Sequence, residues 1–478
     1  MSSVSPGNGN IFHVAPRPTY NRGLSACIKH LWVPSNNFLL TKTMAKVGCA
    51  YCRWIGHPVS MEKTNLGIHL HPCQVFRAVC HQPGAIFLES QRPSFSERYS
   101  FVAWEPEKVF RGNIPNLRKD DFFRFISSQS QEYFTAGYIG YEACQWIEDL
   151  PRPRDKDRPL PDIYLAAYGR CLVYDHIRKT WSCWFKDSPA SLPASCLEHR
   201  RRSPGNIIGF NQTKATYLEN VRRILDYIRA GDVYQINYTQ RVYFTCAGDL
   251  FDLYLRLKKI QPVSYAAFIN LGKAAVISGS PELFLGLRQN KILSKPMKGT
   301  RKRSRRLTID RQLRQQLKES EKDRAENTMI VDLMRNDLGR FCEFGSVEVP
   351  RLYVVEAYDT VYQMVSYVTG RVRNNTPMSE IIRASFPPGS ITGAPKKRAM
   401  EIIYELEPHQ RGVYCGVIGY FFQDNMRLNV AIRTLELWDG NGVLGVGGGI
   451  VADSDPELEY EESIIKAKAS MMALGIAW

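Results

Sequence analysis

The stretch SYAAFINLGKAAVISGSPELFLGLRQNKILSKPMKGT runs from Ser264 to Thr300. Its apolar segments, SYAAFIN, AAVISGSPELFLGL and KILSKPMKGT, read as strands separated by short turns. Short connections can join antiparallel strands but cannot carry a parallel crossover, so the predicted sheet is antiparallel. Just upstream, DVYQINYTQRVYF (Asp232–Phe244) predicts another strand, whose alternation puts Gln235, Asn237 and Thr239 on one face. A helix is predicted over Thr213–Ala230, where Tyr217, Val221, Ile224, Leu225 and Ile228 keep helical spacing and Gly231 stops it.

Downstream, Ser320–Phe341 and Pro395–Leu406 read as helices. VYCGVIGYFF (Val413–Phe422) and RLNVAIRTLEL (Arg427–Leu437) read as a strand hairpin, and a last helix follows Pro456. Nearer the N-terminus, Ala85–Gln91 and Arg98–Pro106 read as paired strands. Thr135–Ala143 reads as a strand followed by a turn or helix, and IYLAAYGRCLVYDH (Ile163–His176) as a further strand. Strands and helices mix without βαβ alternation, so the predicted class is α+β. Leu150–Asp162 is a Pro-rich charged loop, and Glu198–Asn206 is the best boundary. The expected organisation is an extension over 1–60, an N-terminal region over 61–205 and a catalytic domain over 206–478.

The 478 residues carry a formal net charge of +16, which raises nucleic acid, membrane surface or an anionic substrate as partners. Much of that charge sits in two runs, EHRRRS around Arg201 and RKRSRR over Arg301–Arg306, read as solvated loops. No aromatic-basic stripe of the kind used by single-strand binders is present in the sequence, and no run approaches 18 apolar residues. Neither nucleic acid nor membrane is therefore expected as a partner. Twelve cysteines without regular spacing point to reduced thiols and a cytoplasmic protein. Cys49 and Cys52 could open a zinc site, but Cys73 and Cys80 have the wrong spacing to complete it. Residues 1–60 contain no Asp or Glu and six Lys or Arg, a transit-peptide composition that makes plastid targeting the alternative. They equally fit an upstream extension before a start at Met61.

Several residues carry candidate chemistry. Lys298 lies in a buried-looking stretch, either snorkelling to the surface or held in a pocket for chemistry. Glu459, Glu462 and Lys466 share one face of the last helix, which fits either a hard cation or a salt-bridged surface. Glu326 could add a third carboxylate. GVGGGIV (Gly445–Val451) reads as a strand-to-loop glycine cluster whose amides can approach an anion; it lacks the βαβ context of a dinucleotide site. FPPGSITGAPKKRAM (Phe386–Met400) puts Gly, Ser and Thr before a helix start near Pro395. AIRTL places Arg433 inside an apolar strand, suited to capturing a carboxylate or to a structural ion pair.

Taken together and in order, GDVYQINYTQR, SGSPELF, PMKGTRKR, AENTMIVDLMRNDLGR, FPPGSITGAPKKRAME, YCGVIGY, AIRTL and GGGIVADSDPELEYEE resemble the chorismate-utilising enzymes. That family includes the large subunits of anthranilate synthase and aminodeoxychorismate synthase, isochorismate synthase and salicylate synthase. The resemblance is strong over Thr213–Leu474 and weaker over Phe87–Asp175. It implies two antiparallel sheets packed face to face with helices outside. It also implies a dianionic substrate, chorismate, held with Mg²⁺ by Glu326, Glu459 and Glu462. Amides of Gly447, Gly448 and Gly449 and the Ser390–Thr392 turn would take the ring carboxylate. Tyr414 and Arg433 would hold the enolpyruvyl carboxylate, with Gln235 and Lys466 also at the substrate, and Glu282 would protonate the departing C4 hydroxyl.

Two positions choose among the branches. The isochorismate and salicylate enzymes use a lysine base where this chain has Gln235, and glutamine cannot activate water. Anthranilate synthases carry alanine where PMKGT has Lys298, whereas aminodeoxychorismate synthases commonly carry lysine. The resemblance thus implies Lys298 as a nucleophile in forming 4-amino-4-deoxychorismate for folate biosynthesis. Ammonia would come from a separate glutamine amidotransferase subunit. The alternatives are anthranilate synthase component I and a degenerate paralogue with nucleic-acid-binding basic loops. One departure stands out: many relatives have a histidine where this chain reads TVYQMVS, with Tyr362 and Gln363.

Overall fold

Alternation along the strands explains the architecture. In Ala266–Ile269, Ala266 and Phe268 point to one apolar cluster and Ala267 and Ile269 to another. Phe87 and Val102 likewise face outward to helices, while Ile86, Phe101 and Ala103 face inward. Strands buried on both faces need apolar residues at every position, which is why they read as continuous runs rather than as polar-apolar alternation. The computed structural model describes residues 68–151, 156–185, 205–359 and 361–476, all within the unit Ile55–Trp478. The expected extension over 1–60, the Cys49–Cys52 pair and most of the Glu198–Asn206 boundary lie outside the described residues.

Two large antiparallel sheets pack face to face. The first runs, edge to edge, through Gly393–Ala394, Gln235–Thr245, Asn441–Ile450, Thr434–Trp438, Ala274–Ser280, Tyr265–Asn270, Ile86–Glu89, Tyr99–Ala103, Arg170–Asp175 and Thr180–Phe185. The second runs through Met297–Lys302, Val361–Arg371, Lys291–Lys295, Leu283–Arg288, Asn425–Val430, Val417–Phe422, Phe134–Ile139, Ile163–Tyr168 and Lys108–Gly112. Both draw strands from either side of residue 205. Between them lies a core of Ile86, Phe101, Phe134, Tyr138, Tyr168, Ile418 and Tyr420. The Phe101 ring sits 5.5 Å from Phe134 and 4.7 Å from Tyr420.

Helices cover the outer faces. Leu250–Ile260 and Pro456–Ala473 bury Phe251, Leu257, Ala467 and Met471 against the first sheet. Glu321–Gly339 buries Ile330, Val331, Met334 and Leu338 against the second. The helix expected at Thr213–Ala230 is Lys214–Arg229, with Thr213 as N-cap accepting from the Thr216 amide and Gly231 at φ +83°. Among the described residues no helix is long and apolar enough to cross a membrane.

Three expected strands each prove to be two. AAVISGSPELFLGL ends one strand at Ser280 and begins another, in the opposite sheet, at Leu283. IYLAAYGRCLVYDH crosses between the sheets at Gly169, and RLNVAIRTLEL crosses at Ala431–Arg433. A proline, a glycine and a residue with positive φ mark the three breaks. Arg433 is therefore not inside a strand; it occupies a crossover with φ +53°.

Candidate active site

Two crossovers meet. The Val430 amide donates to the Glu282 carbonyl at 3.1 Å and the Gly279 amide to the Arg433 carbonyl at 3.0 Å. Glu282 and Arg433, far apart in sequence, thereby become electrostatic neighbours. Lys298 arrives from the second sheet. Its strand pairs Lys298 with Met364 and Thr300 with Gln363, so Gly299 is the extra residue of a bulge. Gly299 has φ +74°, and a Cβ there would meet the Asp323 carboxylate at 2.8 Å. Bulges re-aim side chains near functional sites; this one accompanies a Lys298 ammonium brought within reach of Gly449 and Gln235. A Cβ built on Gly449 would lie 2.9 Å from Gln235 Nε2 and 3.1 Å from Lys298 Nζ.

The glycine cluster is strand, not strand-to-loop: Asn441–Ile450 pairs with Gln235–Thr245 along its whole length. Its other neighbour, Thr434–Trp438, stops opposite Leu444. Thr239, opposite Gly447, spends its amide on Glu407, and Asn237, opposite Gly449, spends its amide on the Thr392 carbonyl. These are non-hydrogen-bonded pairs, so the amides of Gly447 and Gly449 point off the ladder toward the open edge. Gly447 shows the same direction through its carbonyl, which accepts from Lys466 Nζ at 2.8 Å.

The last helix lies against this edge. Lys466 Nζ sits 2.7 Å from Glu462 Oε1, and Ser454 donates to Glu459 at 2.6 Å. A Cβ on Gly448 would lie 3.1 Å from Glu459 Oε2 and 3.6 Å from Lys466 Nζ. Glu326 comes from the Glu321–Gly339 helix and interacts with both Lys298 and Glu459.

Burial sets the protonation states. Desolvation pushes the Glu282 carboxyl up to about 7, against the opposing pull of the Ser390 hydroxyl, Lys298, the Met297 amide and Arg433. Desolvation lowers the Lys298 ammonium, aided by Lys466 and opposed by Glu326, Glu282 and Glu462. Desolvation raises Glu326 and Glu459, and neighbouring carboxylates raise them further. Lys466 holds Glu462 below the ordinary carboxylate range. A carboxyl tuned to hold its proton beside an amine tuned to lose one is the pairing expected of an acid and a nucleophile.

Comparison with known proteins agrees with this geometry. Residues 84–472 match the family model described as chorismate binding enzyme. The chain belongs to that family. It is 43% identical over 337 residues to the aminodeoxychorismate synthase component 1 of Klebsiella aerogenes, covering 69% of this chain and 74% of that protein. It is 34% identical over 394 residues to the anthranilate synthase component 1 of Acetivibrio thermocellus, covering 76% and 78%. Among solved structures, the anthranilate synthase component I of Streptococcus pneumoniae TIGR4 superposes with a TM-score of 0.69 at 27% identity, over 86% of this chain and all of that one.

Within this member of the chorismate-binding family, most expected site residues converge. Lys298, Glu282, Gln235, Ser390, Arg433, Glu326, Glu459, Glu462, Lys466, Gly448 and Gly449 form one set of interacting neighbours. Tyr414 packs its ring against Gly445, on the strand that carries Gly447 and Gly449, beside Arg411 and Glu407. One expectation changes. The Thr392 hydroxyl and amide are spent inside their own turn, as is the Ile391 amide; Ser390 reaches the site through its hydroxyl. Sequence reading missed Arg411. Its guanidinium holds Glu407 at 2.7–2.8 Å and donates to the Ile391 carbonyl at 2.7 Å and the Asn237 carbonyl at 2.6 Å. It thereby ties the Ser390 turn to the site strand. The only signal was an i, i+4 Glu–Arg spacing after a helix, which is common on surfaces.

The carboxylates test the fit of a metal. Among the described residues no three acidic, His or Cys side chains converge closely enough to ligate an ion as they stand. Glu462 is turned to Lys466 and Glu459 to Ser454. The donor chemistry nevertheless suits a hard divalent cation, because three oxygen-bearing groups repel one another there. Turning Glu462 away from Lys466 is a rotamer change at an exposed residue.

Proposed function

We propose that this chain is the large subunit of an aminodeoxychorismate synthase, converting chorismate and ammonia to 4-amino-4-deoxychorismate. The observation that carries the reading is Lys298: a lysine with a lowered pKa, beside Gln235 and among carboxylates, with Glu282 near neutrality. Glutamine at 235 disfavours the water-adding branches, and lysine at 298 disfavours anthranilate formation.

In this reading the neutral Lys298 amine adds to C2 of chorismate. Both ring double bonds shift, C1=C2 to C6=C1 and C5=C6 to C4=C5, and the C4 hydroxyl leaves as water with the proton of Glu282. Ammonia then adds at C4, both double bonds shift back, and the C2–lysine bond breaks, which releases the amine. Arg433 and the Gly447 and Gly449 amides supply positive ends for the substrate's carboxylates. Glu326, Glu459 and Glu462 would hold Mg²⁺. That ion would supply charge neutralisation at the ring carboxylate. Glu462→Gln is expected to lower Mg²⁺ affinity and turnover together, measured as activity against Mg²⁺ concentration; full activity with unchanged Mg²⁺ dependence would exclude these ligands.

The component 1 name of the relatives supports a separate partner, which we take to be a glutamine amidotransferase. Among the described residues Cys73, Cys80, Cys144, Cys171, Cys183, Cys246, Cys342 and Cys415 form no disulfide, which supports a reducing compartment, taken here to be the cytoplasm. The deciding experiment incubates the purified chain with chorismate, Mg²⁺ and ammonium. The 4-amino product is expected, identified by mass and by conversion with an aminodeoxychorismate lyase. Glutamine should serve only after an amidotransferase subunit is added. Anthranilate or isochorismate as the main product would overturn the assignment.

A further inference from the structure

On the face of Gln235–Thr245 that carries Gln235, Asn237 and Thr239, the side chains do not share one fate. Thr239 gives its hydroxyl to Glu407 at 2.8 Å. Among the described residues, Gln235 leaves both carboxamide atoms without a hydrogen-bond partner, and Asn237 leaves Nδ2 without one. Gln235 is fully buried and Asn237 is 7% exposed. A buried donor without an acceptor is unfavourable and uncommon in folded proteins, so such a group points to something that arrives from outside.

The register says what it faces. Asn237 stands opposite Gly449, and Thr239 opposite Gly447. Residues opposite each other in a sheet share a face, and non-hydrogen-bonded pairs bring their side-chain positions closest. Two of the three cross-strand positions on this face are thus glycines, which lets Thr239 pack close over Gly447 and lets Gln235 and Lys298 close over Gly449. Lys298 Nζ and the Gln235 carboxamide take the place that a side chain at Gly449 would fill. The Asn237 backbone is fixed on both sides: its amide donates to Thr392 at 2.8 Å and its carbonyl accepts from Arg411 at 2.6 Å. Nδ2 is thus a donor on a backbone fixed from both sides, opposite Gly449 and on the face that carries Gln235.

We infer that Asn237 is a substrate-binding residue whose Nδ2–H donates to a carboxylate oxygen of the bound substrate over Gly447 and Gly449. This rests on the chorismate reading above and extends it to a residue that the motif resemblance did not assign. The donor is neutral and short, so it adds direction to the carboxylate contact without adding net charge beside Lys298, where another cation would lower the amine's pKa and one more anion would raise it.

The test uses the full chain and chorismate itself, with Asn237→Leu and Asn237→Asp. Leu is close in size and removes the donor; Asp keeps the shape and places an anion against the carboxylate. Chorismate is titrated calorimetrically, and melting is followed with and without it. Asn237→Leu is expected to raise Kd for chorismate by about 10- to 100-fold, the range for a hydrogen bond to a charged group. Its unliganded Tm should be equal to or above the parent's, because an unsatisfied buried donor has been removed. Asn237→Asp should lose at least as much affinity while folding like the parent. A merely structural asparagine gives the reverse: a lower Tm with parental Kd in whichever variant folds, which would overturn the inference. A parent chain that binds no chorismate overturns the chorismate reading and this inference with it. A parent that binds, with variants that bind equally well, overturns the inference alone.

Discussion

In the proposed reaction Lys298 is the nucleophile and Glu282 the acid, and each role makes a separate prediction. A lysine that bonds to C2 should leave a chorismate-derived adduct on the peptide containing Lys298 when ammonia is withheld and the reaction is quenched in acid. Lys298→Arg keeps the charge but cannot form the adduct, because a guanidinium stays protonated. Parental 4-amino product formation by Lys298→Ala, with no adduct in the parent, would leave Lys298 an electrostatic neighbour only. Glu282 carries its proton up to about 7. Turnover at a fixed concentration of neutral ammonia should therefore fall as pH rises above about 7, as the acid is lost. Glu282→Gln should cost about 10²- to 10⁴-fold in kcat. The same shift has a stability sign. The folded carboxyl binds its proton more tightly than the unfolded one, so stability falls as pH rises from 4.5 to about 7, by up to about 1.4 kcal/mol per pH unit. Glu282→Gln should flatten that slope in urea titrations run across the window.

Gly299 is where an element, rather than a residue, sets the site. Alanine there must take φ +74° and push its Cβ against Asp323, which also holds Arg301 at 2.7 Å. Left-handed backbone costs a non-glycine residue about 1–2 kcal/mol, and a displacement of about 1 Å at reacting groups can cost about 10²-fold in rate. Gly299→Ala should therefore lose far more kcat than its loss of melting temperature explains; a proportionate loss of both would show the bulge to be structural only. Elements of this kind mark the limit of what was legible in sequence. Helix Lys214–Arg229 was readable because cap, periodicity and stop coincide at Thr213, Tyr217–Leu225 and Gly231. The antiparallel character of the sheets was readable from short turns. The crossovers at Glu282 and Arg433 were not, because a strand that changes sheets keeps its apolar composition throughout. The convergence of Lys298, Glu282 and the carboxylates came through motif resemblance, since each residue alone suits an ordinary surface role. Arg411 was invisible for the opposite reason: its spacing is commonplace, and only the fold shows that it bridges the Ser390 turn to Asn237.

The whole molecule depends on the layer between the two sheets. Phe134 touches Phe101, Tyr168, Tyr420 and Phe422 from the second sheet's inner face, with centroids 5.4–6.4 Å away. Phe134→Ala should destabilise by about 3–5 kcal/mol, through lost burial and the cavity it leaves. Denaturant midpoints would measure that loss, and a shift under about 1 kcal/mol would mean the layer can collapse around the hole.

The interleaving of the sheets also governs how the chain is made. Ile86–Glu89 pairs on one side with Tyr99–Ala103, which soon follows it, and on the other with Tyr265–Asn270. Phe134–Ile139 pairs with Ile163–Tyr168 on one side and with Val417–Phe422 on the other. During synthesis at about 5–20 residues per second, each early pair leaves the ribosome with an open, apolar edge, and its second neighbour lies far downstream, at Tyr265 for the first and at Val417 for the second. Such edges invite pairing with other chains, and sheets built from distant strands assemble slowly. Yield of the folded enzyme should accordingly be limited by what shields these nascent edges, so that slower translation or more abundant chaperone raises it without any change in the stability of the finished protein.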